Sequence, residues 1–95
     1  MKRMEKKICP WPERDPLIDV IEEGEEVRVI VAMPGITRED VFLDSRNRMM
    51  IVEVAADGQI FRKAVSYVRD RGHLEVKSSR LNNSVLELVL GKGPA

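Results

Sequence analysis

One cysteine and one histidine in 95 residues leave no material for an internal disulfide or for a histidine pair on a metal. A Cys9–His73 nucleophile and base is the only pairing available, and it fails because Cys9 sits among prolines with no rigid element to aim it. Aromatics make up only 4% of the chain, so its basic clusters have no interleaved rings on which bases could stack. Sixteen basic side chains cancel sixteen acidic ones, which removes any net field toward nucleic acid or an anionic membrane. No run approaches the roughly 18 apolar residues of a membrane span. The basic start, with Lys2, Arg3, Lys6 and Lys7, is not followed by the apolar stretch of a secretory signal. No glycine-rich loop with a following Lys-Ser or Lys-Thr cradles a phosphate, so ATP chemistry is not expected. These absences point away from an enzyme and toward a cytoplasmic, cofactor-free protein that acts by binding.

What is present is β-type sequence in short runs. Residues 1–16 carry prolines at positions 10, 12 and 16 among charges, which favours a flexible arm over a helix or a central strand. From residue 17, β-branched segments recur at residues 17–21, 26–33, 41–44, 49–56, 60–68, 74–78 and 85–90. Seven such runs, separated by turn residues and without an amphipathic helix, predict an all-β, immunoglobulin-like antiparallel sandwich. The domain is expected to occupy residues 17–91, followed by a short tail at residues 92–95. At this length there is room for one modest core.

Alternation identifies the faces. Val27, Val29, Val31 and Met33 share one side of their strand, and Leu86, Leu88 and Leu90 share one side of the last strand, so both sets are expected in the core. Met33 and Met49 are read as core filling as well. Pro34-Gly35 ends the second run, Asp57-Gly58 predicts a tight hairpin with primed geometry, and Asn82-Asn83 supplies left-handed residues for another turn. The connections therefore look like a largely local meander. Arg62, Lys63, Arg69 and Arg71 form a second basic cluster that could meet an acidic partner surface, and Trp11, flanked by Pro10 and Pro12, is expected to dock on its own sandwich, with a neighbouring subunit as the alternative.

In order, Asp19-Val20-Ile21-Glu22, residues 27–35 ending in Pro-Gly, the charged loop at residues 36–40, Met49-Met50-Ile51, Phe61-Arg62-Lys63 and Ser84-Val85-Leu86-Glu87-Leu88-Val89-Leu90 resemble the alpha-crystallin domain of small heat-shock proteins. The resemblance runs over residues 17–90. It departs from the family pattern at Ser84, where glycine is usual, at the Asp57-Gly58 hairpin, where many members have a long strand-exchange loop, and in the tail, which has no Ile-x-Ile motif. It is also similar to the related co-chaperone sandwiches.

The resemblance implies an ATP-independent holding chaperone for partly unfolded proteins, with an adaptor module for one specific folded partner as the alternative. It further implies that an extended peptide is accepted between the strands at residues 41–44 and 74–78, which nominates Val41, Leu43, Leu74 and Val76 as groove residues. The same four positions equally suit ordinary core residues at the rim. Without the exchange loop and the plug motif, a monomer or an edge-to-edge homodimer is expected in place of a large oligomer.

Overall fold

The computed structural model describes residues 16–93. The run read at residues 17–21 becomes β1 (Leu17–Glu23), followed by β2 (Glu26–Ala32), β3 (Val41–Arg46), β4 (Met49–Ala56), β5 (Gln59–Ser66), β6 (Glu75–Asn82) and β7 (Val85–Gly91). Two antiparallel sheets result, one ordered β1-β2-β7-β6 and the other β3-β4-β5. The sandwich expected from the spacing of the runs is therefore present. The expected locality is not, because β2 pairs along its length with β7, matching Val27 with Leu90 and Val31 with Leu86. The chain changes sheet after Pro34-Gly35 and again through residues 67–74, so its central pairing joins distant segments.

The core follows the two-residue period. Val27, Val29 and Val31 of β2, Met50, Val52 and Val54 of β4, and Leu86, Leu88 and Leu90 of β7 are essentially without solvent contact. Ile36, Val41, Tyr67 and Leu74 complete the cluster, with Met33 packed at its margin. Met49 is the exception to the expectation: it is exposed, and Met50 fills the core in its place. The run Met-Met-Ile-Val-Glu-Val does not declare its own parity. The register does, because Met50 stands opposite Ser45 and Val65 while Met49 stands opposite Arg46 and Ser66.

The strand read at residues 74–78 extends to Asn82, through polar residues with little β preference of their own. Ser78, Ser79 and Arg80 are held by pairing with Val89, Leu88 and Glu87, with a bulge between Val76 and Ser78. In the other direction, the run at residues 60–68 stops at Ser66 because the Tyr67 amide turns away to the carbonyl of Arg48 at 2.8 Å. The charged loop forms a single 3-10 turn, Arg38–Asp40, where the Thr37 amide donates to the Asp40 carboxylate at 3.0 Å and the Asp40 amide donates to the Thr37 carbonyl at 3.1 Å.

Asp57 and Gly58 both have positive φ, 52° and 75°, as a primed two-residue hairpin needs. The β6–β7 turn places its left-handed pair one residue later than expected, on Asn83 (51°) and Ser84 (67°). Asparagine tolerates that conformation through its short polar side chain, whereas serine carries the Cβ penalty without that compensation. Ser84→Gly should therefore stabilise the domain by about 0.5–1 kcal/mol after allowance for glycine's greater unfolded entropy. Thermal unfolding followed by circular dichroism checks this, and an unchanged or lowered midpoint counts against a strained turn.

Candidate functional site

The two open flanks of the sandwich differ. On one flank β1 and β5, the edges of their sheets, are laced together by side chains. Lys63 points inward from β5 and donates from Nζ to the Ile18 carbonyl of β1 at 3.0 Å. Beyond the end of β5, the Val68 amide donates to both Glu22 carboxylate oxygens, at 3.1 and 3.0 Å. Arg71 then reaches across with Nε to Glu22 at 2.9 Å and with an Nη to the Gly24 carbonyl at 2.7 Å. Arg69 adds bonds to the Gly24 carbonyl at 3.1 Å and to Glu25 at 3.0 Å.

Arg71 is only 7% exposed and stacks over the Tyr67 ring, 5.8 Å from its centroid. Tyr67 in turn shares a buried hydrogen bond with Ser45 at 3.0 Å, and burial raises its phenol above the ordinary range against the lowering effect of that bond. Desolvation alone would raise the Glu22 carboxyl, but the hydrogen bonds from Arg71 and Val68 and the charges of Arg71 and Arg69 hold it below its ordinary value. Glu25 is lowered chiefly by its bond to Arg69. The basic cluster read from sequence as a partner surface is thus spent inside the molecule: Lys63, Arg69 and Arg71 lock this flank, and Arg62 pairs with Glu53 on the outer face. The partners of Lys63, Arg69 and Arg71 lie in β1 and in the turn that follows it, far away in sequence, so local patterning could not reveal the match.

On the opposite flank β3 and β6 are the free edges of the two sheets, and no ladder joins them. Across it, among the described residues, His73 Nδ1 lies 3.4 Å from the Ser45 carbonyl. The inward side of β3 carries Val41, Leu43 and Ser45, opposite the buried Val54, Val52 and Met50. The inward side of β6 carries Val76, Ser79 and Leu81, opposite Leu90, Leu88 and Leu86. The four nominated residues divide evenly. Val41 and Leu74 are buried and form the floor, Leu43 is half-buried, and Val76 is 37% exposed.

Leu81, 52% exposed on the same side as Val76, was not anticipated. Its signal was present only in pairing with Leu86, which required β6 to run on through Ser78–Arg80. The result is a strip of apolar side chains between two edges with unpaired backbone groups. Chemically it offers main-chain hydrogen bonds and side-chain pockets to an extended chain.

No group of three or more histidine, cysteine, aspartate or glutamate side chains able to hold a metal occurs among the described residues. No helix among them is long and apolar enough to cross a membrane. The arm at residues 1–15, with Met4, Cys9 and Trp11, and the last two residues of the tail lie outside the described residues.

No family model matches the chain, and no curated protein matches it in sequence. Solved structures do match. A C-terminally truncated form of the small heat shock protein AgsA from Salmonella typhimurium is similar with a TM-score of 0.55 at 12% identity, covering 84% of this chain and 89% of that one. A small heat shock protein from Synechococcus phage S-ShM2 gives 0.54 at 14% identity, covering 81% and 94%. One from Xylella fastidiosa, described as having a distinct high order structure, gives 0.52 at 14%, covering 88% and 91%. The fold is therefore the sandwich found in small heat shock proteins, as the order of the sequence motifs implied.

Proposed function

We propose that this domain is an ATP-independent holding chaperone that captures extended segments of partly unfolded proteins in the groove between β3 and β6. The observation that carries the reading is the asymmetry of the flanks: salt bridges and hydrogen bonds fasten β1 to β5, while β3 and β6 leave apolar side chains and backbone groups uncovered. The likeness in fold to small heat shock proteins supports the same role. An unfolding client supplies both what the groove lacks, a strand with free N–H and C=O groups, and what it favours, alternating apolar side chains.

The adaptor alternative rests on the missing oligomerisation devices and on the basic arm and the Arg62, Lys63, Arg69, Arg71 cluster meeting an acidic surface; of that cluster, Lys63, Arg69 and Arg71 are engaged internally. Assembly is proposed to stop at a monomer or an edge-to-edge dimer. Support comes from the two-residue Asp57-Gly58 hairpin, which leaves no exchange loop between β4 and β5.

A Leu43→Asp, Val76→Lys double variant tests the site, because both residues are partly exposed on it. Suppression of heat-induced aggregation of a model client should fall several-fold, with the unfolding midpoint little changed. Light scattering on the same samples should show soluble client complexes for the wild type only. If the folded variant protects the client as well as the wild type does, the groove is not the binding site. If neither protects, and a pull-down returns one stoichiometric folded partner, the adaptor reading replaces the chaperone.

A further inference from the structure

The outward side of the four-stranded sheet holds a second apolar feature, on the opposite face of β6 from the β3–β6 groove. A depression of about 390 Å³ is lined there by Ile30 of β2, Val85 and Glu87 of β7, Arg80 and Asn82 of β6, and Asn83 of the turn. Cross-strand pairing extends it toward the start of the sheet, since Leu17 pairs with Ala32 and Ala32 with Val85, so all three side chains share this face. Leu17 is 71% exposed on this face.

We infer that this face is the docking site of the chain's own N-terminal arm, with Trp11 seated in the depression. Leu17, the first residue of β1, lies in the same cross-strand row as Val85 of the lining. Trp11 precedes Leu17 by six positions, a reach of up to about 20 Å for extended chain. Val85 lies two strand spacings from Leu17, about 10 Å.

The lining suits an indole. Ile30 and Val85 give an apolar floor, the Arg80 guanidinium can lie over the ring face, and the carbonyls of the Asn82 and Asn83 side chains can accept from the ring N–H. Arg80 makes no ion pair with another described residue.

Trp11 is the chain's only tryptophan, so its fluorescence reports this one position. In the full chain the emission should be blue-shifted relative to the urea-unfolded protein, iodide quenching should be several-fold weaker, and neither should change on dilution. Val85→Asp should move the emission to the red and restore quenching while the circular dichroism melt stays cooperative. Arg80→Ala, at an exposed position, should raise quenching in the same direction and serves if Val85→Asp does not fold. Solvent-like emission in the folded wild type overturns the inference, as does blue-shifted emission that both variants leave untouched. Emission that reddens on dilution also overturns it, because a second copy then holds the ring.

Discussion

Leu88→Ala should cost about 2–5 kcal/mol, lowering the melting temperature by about 8 °C or more and leaving part of the protein unfolded at ambient temperature. Leu88 is fully buried, at the centre of β7, between Val29 of β2 and Ser79 of β6. Removing its isobutyl group leaves a void beneath the strand that ties the four-stranded sheet together. The neighbours that could collapse into it, Val29, Val52 and Val54, are β-branched and stiff at χ1, so relaxation is limited. A domain with a single small core has no second cluster to absorb the loss. Urea unfolding with a fixed m-value measures it, and a change near zero would mean that β7 presents its other face to the core.

Arg71→Ala should destabilise the domain more than any other single charge removal, because it strands Glu22 beneath the crossing loop and frees the Gly24 carbonyl. The pair's dependence on pH has a definite sign. Glu22 and Glu25 ionise more readily in the folded protein than in the unfolded chain. Their contribution is therefore complete at neutral pH and disappears as the pH drops through the folded-state carboxyl values, below the ordinary carboxylate range. The gap in melting temperature between wild type and Glu22→Gln should be widest near neutrality and shrink in acid. Replacing both partners by apolar side chains, Glu22→Leu with Arg71→Met, should recover most of what Arg71→Ala loses, since no uncompensated charge remains. A gap that widens in acid, or a double variant no better than the single one, would show that the latch does not hold the flank in this way.

How much of this was readable from the residues differs by element. Strong alternation exposed β2 and β7, and the hairpin dipeptide Asp57-Gly58 fixed the β4–β5 turn, because both signals act within a few neighbouring residues. β6 was half visible: Ser78, Ser79 and Arg80 become strand only by pairing with β7, a tertiary effect that outweighs their own preference. The Met49–Met50 pair was ambiguous in parity for the same reason. At the site, the resemblance led to Leu43 and Val76, but burial alone separates them from Val41 and Leu74, and Leu81 became visible only with the register. The arginines looked like a surface to offer because their glutamates come from another hairpin.

The inward Lys63 has a consequence beyond fastening. A protein that accepts strands from others is exposed to accepting strands from copies of itself, and a sandwich with four edge strands invites end-on stacking into fibrils. By placing a charged amine inside the sheet edge at β5 and spending it on a carbonyl of β1, the molecule spoils two of those four edges as templates for growth. Polymerisation would need a chain that propagates on both sides, and only one side remains receptive. A strand added at β3 or β6 would therefore find no second open edge on the β1–β5 flank from which a fibre could grow.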